Sequence, residues 1–390
     1  MAESDGTIVL VGGGAAASAA AIELRKQDFE GRVTVLTREL DPPYHRPAVS
    51  KELLGPGAAE ADIWWPPRDW WADHDVDLRT RASVTSLDVG ARTVALADRS
   101  ALSFDAALLA TGANVRRLNL PGSGLAGIHY LRAPGNAHKL RAETQRARRA
   151  VLVGGSFIAA EVAAQLTVAG VEATMVMPER APMQTTFGTA VADHIAALLV
   201  ENGVRLVCGE QVAEFSGTGG VEEVRTDAGT VLPADLVVVG VGATPDTRLA
   251  AKAGLELGAT GGIACDATLR TSAEGVFAAG DVCEYFSEVH GRRLRVEHHE
   301  HAVAQGVTAA RGLMGAPEPH REVPYFWTEL ADWALLEYVG PAGEWDTERI
   351  TGSLSDGEFT VWYERAGSVV AALTRGRPDD LDRARELIAG

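Results

Sequence analysis

One pattern occurs twice in this chain, and it narrows the possible folds more than any other feature. The first copy, IVLVGGGAAASAA, carries Gly12, Gly14 and Ala17 at the spacing G-x-G-x-x-G/A. The second, AVLVGGSFIAAEVA, carries Gly154, Ser156 and Ala159 at the same spacing. Each follows a run of β-branched and aliphatic residues and opens into an Ala-rich stretch that reads as helix. That strand–turn–helix setting separates a dinucleotide fingerprint from a chance match. Small residues let the backbone turn tightly and approach a pyrophosphate, and the helix N-terminus offers unpaired N–H groups with a partial positive charge. One such site takes one dinucleotide. Two in one chain point to a flavin and a nicotinamide brought face to face.

The surrounding pattern predicts a strand at 7–11, a helix at 15–27 and a strand at 33–37, a β-α-β unit. A second unit is predicted over 150–179, followed by a helix near 189–202. FDAALLATG at 104–112, VLPADLVVVGVGATP at 231–245 and VFAAGDV at 276–282 each read as a buried strand ending in a glycine turn. DPPYHRPAVSK at 41–51 is predicted to be a Pro-punctuated loop without regular structure, with Trp64, Trp65, Trp70 and Trp71 packed beneath it. A helix is expected from about 301 to 314. Beyond Pro317 and Pro319 the texture changes: residues 358–373 read as a hairpin and DDLDRARELI as a closing amphipathic helix.

Charge removes several function classes. The chain has 53 acidic and 36 basic side chains, a formal charge of −17, which opposes nucleic acid or an anionic membrane as partner. No apolar run reaches bilayer-spanning length. MAESDGT, before the first strand, lacks a basic n-region, so the cytoplasm is the expected compartment. Cys208, Cys265 and Cys283 are isolated, with no C-x-x-C spacing and none near the first fingerprint. They read as buried small hydrophobes rather than a redox disulfide or a thiol beside a flavin. No metal is expected, because His298, His299 and His301 have no cysteine or second histidine cluster in matching sequence context.

Candidate ligand residues follow from chemistry. Glu39, just past the strand 33–37, is placed to accept from an adenosine ribose, or is a solvated loop carboxylate. Arg46 and Lys51, on the Pro-rich turn, serve a pyrophosphate or the negative ring of a reduced flavin, or are surface charge. Asp281, after a glycine at a strand end, accepts from ribityl hydroxyls or caps a helix.

The strings VGGGAAASAA, YHRPAVSKELL, LLATGA, VGGSFIAAEVA, VGATPD, VFAAGDV, RVEHHEHAVAQG and VPYFWTEL occur in this order over essentially the whole chain. Together they resemble the FAD-dependent pyridine-nucleotide oxidoreductases, in the ferredoxin-reductase (putidaredoxin reductase-like) branch, with a likeness to apoptosis-inducing factors as well. The resemblance implies an α/β architecture of glutathione reductase type, with two Rossmann-like dinucleotide-binding domains. The FAD-binding domain is then discontinuous, 1–113 and 243–318, the NAD-binding domain is 114–242, and 319–390 is a C-terminal α/β domain. FAD is expected against Gly12, Gly14, Ala17, Glu39, Arg46, Lys51, Arg132 and Asp281, with His298 and Trp327 near the isoalloxazine. Lys51 and Glu161 match a family ion pair beside the ring, in which Lys51 polarises the flavin and Glu161 holds the lysine.

Gly154, Ser156, Ala159 and Glu179 are expected to take the nicotinamide dinucleotide. Ser156 departs from the usual middle glycine, narrowing the approach to a pyrophosphate or donating to it. Arg38 stands where the family often has an acid, leaving that work to Glu39. Glu179 favours the free 2′-hydroxyl of NADH, whereas Arg180 beside it suits the phosphate of NADPH; the balance favours NADH.

The implied function is transfer of hydride from NADH to FAD, then of electrons to a ferredoxin-type iron–sulfur partner of an oxygenase or cytochrome monooxygenase system. Three scattered cysteines place any cluster on the partner. Because ferredoxins are usually acidic, docking on this acidic chain needs a local basic patch such as Arg116–Arg117, Arg146 with Arg148–Arg149, or Arg292–Arg293 with Arg295. The alternatives are an NADH-responsive flavoprotein with slow catalysis, like apoptosis-inducing factor, and an NADH oxidase or quinone reductase without a protein acceptor. A homodimer is left open.

Overall fold

Each fingerprint is a turn between a parallel strand and the helix that follows it. In the computed structural model, which describes residues 5–55, 63–341 and 343–390, strand Thr7–Val11 leads into helix Ala15–Lys26 and then strand Arg32–Leu36. The two strands pair in parallel from Thr7↔Arg32 to Val11↔Leu36. Val76–Arg79 extends the sheet on one side, and Ala106–Leu109 then Val276–Ala278 on the other. A strand from late in the chain thereby sets the turn bearing Asp281 at the same sheet edge as Gly12. The near-continuous apolar character of these strands matches a parallel sheet covered on both faces.

The second sheet runs Arg205–Cys208, Glu172–Met177, Arg149–Val153, Leu236–Val239 and Ile128–His129, also parallel throughout. Between the two units, Ala113–Val115 and Ala243–Pro245 pair antiparallel, so the chain leaves and re-enters the first unit through one two-stranded ribbon. Both fingerprints need their first glycine for the same reason. A Cβ at Gly12 (φ +133°) would lie 2.0 Å from the Ala110 carbonyl oxygen, and one at Gly154 (φ +117°) 2.3 Å from that of Gly240. Helix Ala15–Lys26 also packs closely on helix His299–Leu313, where a Cβ at Gly306 would meet the Ala16 carbonyl at 2.2 Å.

Residues 325–390 form a five-stranded antiparallel sheet in the order Tyr325–Leu330, Ala334–Val339, Ser368–Arg375, Glu358–Arg365, Thr347–Ser353, with helix Asp379–Ala389 beside it. The expected hairpin and closing helix are present; the other three strands were not read from the sequence. In Tyr325–Leu330 the core-facing set is Phe326, Thr328 and Leu330, and a threonine at the centre breaks the apolar count.

Three local expectations are corrected. The segment 41–51 is not wholly irregular: Arg46–Ser50 forms a 3₁₀ turn, with Pro47 fixing φ where no backbone donor is required. The helix expected near 189–202 begins at Gln184 and is broken at Gly188 (φ 77°, ψ −179°). Nor do all four tryptophans lie beneath the Pro-rich segment. Trp64 meets Tyr44 edge-on, with ring centroids 6.5 Å apart, and Trp65 meets His299, whereas Trp70 and Trp71 pack into the core of the first unit. No helix among the described residues is long and apolar enough to cross a membrane.

Candidate active site

Both fingerprint turns and the 3₁₀ turn open onto one cavity of about 960 Å³. Lys51, at the end of the 3₁₀ turn, and Glu161, on helix Phe157–Val168, meet at its wall with Nζ and Oε2 2.8 Å apart. Both are buried, at 6% and 3% exposure. Glu161 Oε2 also accepts from the Ser50 hydroxyl at 2.6 Å, and its Oε1 accepts from Thr328 at 2.8 Å. Three hydrogen-bond donors on one carboxylate offset the cost of removing it from water.

A second charged group gathers around Arg46. Its guanidinium donates to Glu39 Oε1 (2.7 Å), to the Tyr44 hydroxyl (2.6 Å) and to the Arg132 carbonyl (2.7 Å), while Tyr44 donates to Glu39 Oε2 (2.8 Å). Burial pushes the Glu39 carboxyl up, but the Arg46 charge and the bonds from Arg46 and Tyr44 outweigh it and hold Glu39 below the usual carboxylate range. Burial drives the Tyr44 phenol upward. The Arg132 guanidinium reaches Asp281 at 3.6 Å. The Asp281 turn is itself tied down, since the Gly280 N–H donates to buried Gln305 Oε1 at 2.8 Å.

Aromatic and imidazole rings form another part of the wall. His298, at the N-cap of helix His299–Leu313, stacks on Phe326 with centroids 4.0 Å apart, and burial lowers it to about 4. Trp327 stacks on His45 at 6.1 Å. His299 meets His45 edge-on at 4.5 Å, and burial followed by the charges of His45 and Arg46 lowers it to about 3. The ligating atoms of His45, His299 and Glu300 come within 4.8 Å of one another, so the fold supplies His299 with a neighbour that its sequence context did not.

Residues 6–306 match the family described as pyridine nucleotide-disulphide oxidoreductase, and residues 325–390 match the reductase C-terminal family. The chain belongs to the pyridine nucleotide-disulphide oxidoreductases. It is similar to rhodocoxin reductase of Rhodococcus erythropolis, 32% identical over 384 residues, covering 98% of this chain and 89% of that protein. It is also similar to the ferredoxin–NAD(+) reductase component of the anthranilate 1,2-dioxygenase system of Burkholderia cepacia, 34% identical over 387 residues, covering 98% and 93%. Among solved structures it matches a chain of the covalent putidaredoxin reductase–putidaredoxin complex, with TM-score 0.94, 30% identity and coverage of 98% and 93%.

A pyridine nucleotide-disulphide oxidoreductase uses FAD and a pyridine nucleotide, and the residues present fit that pair. A Cβ at Gly14 would meet nothing nearer than Arg46 Nη2 at 3.9 Å, leaving an open cradle at the helix N-terminus with a guanidinium beside it. Despite the family's name, none of the three cysteines lines the cavity. Cys265 and Cys283 are buried in neighbouring strands, where burial raises the Cys283 thiol, and Cys208 is half-buried.

In this oxidoreductase the cavity brings together Gly12, Gly14, Glu39, Arg46, Lys51, Arg132, Asp281, His298, Trp327, Ser156 and Glu161. Ala17, Gly154, Ala159 and Glu179 do not line it. Ala17 and Ala159 are fully buried, and Ala159 packs against Gly240. Ser156 donates to the Gly240 carbonyl at 3.1 Å. Glu39 faces the cavity, but both its oxygens are engaged by Arg46 and Tyr44. Arg38 pairs with Asp246 at 2.8 Å and donates to Asn114 at 2.5 Å, spanning the ribbon between the units. Sequence reasoning missed Tyr44, Ser50, His299 and Thr328. All four lie inside the strings that carry the family resemblance, and nothing in the local pattern marked them.

Proposed function

We propose that the chain binds FAD through residues 1–113 and 243–318 and NADH through 114–242, and passes reducing equivalents to a ferredoxin-type iron–sulfur protein of an oxygenase or cytochrome monooxygenase system in the cytoplasm. Residues 319–390 contribute Trp327 to the wall. The buried Lys51–Glu161 pair carries the reading, because it joins the two dinucleotide units at the cavity they share. FAD, when bound, accepts an electron pair as hydride and releases electrons singly, which suits a two-electron donor and a one-electron acceptor.

The chain's own residues then position and compensate charge. Arg46 and Arg132 offset the diphosphate, and Asp281 accepts from hydroxyls of the ribityl chain. Lys51, its direction fixed by Glu161, would be the residue to compensate negative charge on the bound flavin. His298, neutral above about pH 4, presents an uncharged ring against Phe326.

Two observations favour NADH over NADPH. Glu179 lies outside the cavity lining, but its Oε2 has no hydrogen-bond partner and stands 3.0 Å from where a Cβ of Gly155 would lie, which sets a carboxylate beside the second fingerprint turn. Arg180, the cation that would greet a 2′-phosphate, is held by Asp193 at 2.6 Å. The names of the relatives as NAD(+) reductase components agree. The test is steady-state reduction of cytochrome c by the FAD-loaded protein with NADH or NADPH, with and without an added ferredoxin. Ferredoxin-dependent turnover with NADH supports the reading; a colourless protein that cannot be loaded with FAD refutes it.

A further inference from the structure

Glu161 is where three parts of the chain meet. It sits on a helix of the second unit, Ser50 and Lys51 come from the first, and Thr328 comes from the C-terminal sheet, 167 residues further along the chain. All four side chains are buried, Thr328 completely. We infer that Thr328 is a positioning residue for electron transfer: its hydroxyl locks the Glu161 carboxylate so that the Lys51 ammonium is held toward the flavin. This inference rests on the reading of the site as an FAD site.

Lys51 and Ser50 both use Oε2, at 2.8 and 2.6 Å, so Oε1 depends on another donor. Thr328 supplies it at 2.8 Å. Without that bond a buried carboxylate oxygen is left unsatisfied, and the carboxylate gains by rotating about its terminal torsion to seek a new donor. Rotation changes the direction in which Oε2 draws the ammonium. Two features make Thr328 a stiff anchor. It is held in an antiparallel ladder, Trp327↔Glu337, Thr328↔Leu336 and Glu329↔Leu335, and its β-branched side chain has restricted χ1. The neighbouring Trp327 lines the cavity, so any shift of this strand reaches the carboxylate and the cavity wall together.

Thr328→Val keeps the shape and removes the donor; Thr328→Ser keeps the donor and removes the methyl. The flavin midpoint potential is measured by dye-coupled photoreduction, which needs no pyridine nucleotide, and the rate of flavin reduction by saturating NADH is measured anaerobically. In Thr328→Val the preference for reduced over oxidised flavin should fall about tenfold, a negative shift of about 30 mV for this two-electron couple. Reduction by NADH should slow by a similar factor with little change in NADH affinity, and Thr328→Ser should return both to within about threefold of the parent. Should the valine variant fail to retain FAD, Thr328→Cys, a weak donor of similar size, is read by the same potential and should show the negative shift. An unchanged potential in Thr328→Val or Thr328→Cys overturns the inference, as does a serine variant as impaired as the valine one. A parent protein that holds FAD but is not reduced by NADH refutes the proposed function and leaves the potential comparison intact.

Discussion

Replacing Glu161 by glutamine tests the ion pair on which the site is built. At 2.8 Å and an effective dielectric constant near 20, the direct attraction between Lys51 and Glu161 is about 6 kcal/mol. Much of it offsets the several kcal/mol each ion lost on leaving water, so the pair as a whole adds little to stability. Removing one partner is different, because the Lys51 ammonium stays buried without its counter-charge; such a loss typically costs about 3–5 kcal/mol. For a domain of about 150–250 residues that lowers the thermal midpoint by roughly 10 °C. Lys51→Met should cost a similar amount by stranding the carboxylate, and the double variant Lys51→Met/Glu161→Gln should cost less than the two singles together, with a coupling of about 2–3 kcal/mol. The assay is thermal unfolding of the FAD-loaded proteins followed by circular dichroism. Single effects that add to within about 0.5 kcal/mol would mean that the pair does not act as a unit, and the reasoning would fail.

Further outcomes follow from other parts of the site. Gly12→Ala drives a Cβ to 2.0 Å from the Ala110 carbonyl and should destabilise even the FAD-free protein by roughly 3–5 kcal/mol, whereas Gly14→Ala, with 3.9 Å of clearance, should leave its midpoint unchanged and weaken FAD binding, read by fluorescence titration. Glu179→Gln should lower kcat/KM for NADH more than for NADPH, narrowing the preference about tenfold; equal effects on both would exclude a ribose role. Burial lowers His320 to about 4, so below its ordinary value near 6.5 the unfolded chain takes up a proton that the folded protein does not. Stability from this residue is full above pH 6.5 and falls toward pH 4; between pH 7 and 5 it should lose about 2 kcal/mol, and His320→Gln should flatten denaturant midpoints over that range by this amount.

What the sequence made legible was local. Gly12 and Gly154 mark their turns because only a residue without a Cβ passes the carbonyls of Ala110 and Gly240, a constraint that spacing alone reveals. Lys51 and Glu161 were paired through the family resemblance, and the structure places them in contact. Thr328 and Tyr44 were not legible, because their roles depend on partners far along the chain or on a shared carboxylate, and a hydroxyl carries no pattern of its own. Ala17 and Ala159 show the converse. Their spacing is that of the fingerprint, yet both side chains are fully buried and neither lines the cavity. The Arg46–Ser50 turn was hidden because proline punctuation reads as loop even where Pro47 starts a helical turn.

The most direct test of the central claim is an anaerobic stopped-flow experiment on the FAD-loaded protein. NADH is mixed first and the visible flavin band followed; a ferredoxin is then added, with cytochrome c as reporter. The expected result is rapid bleaching by NADH, slower bleaching by NADPH, and rapid re-oxidation by ferredoxin. Slow bleaching with a persistent long-wavelength charge-transfer band and no response to ferredoxin would contradict it, and would make the chain an NADH-responsive flavoprotein instead.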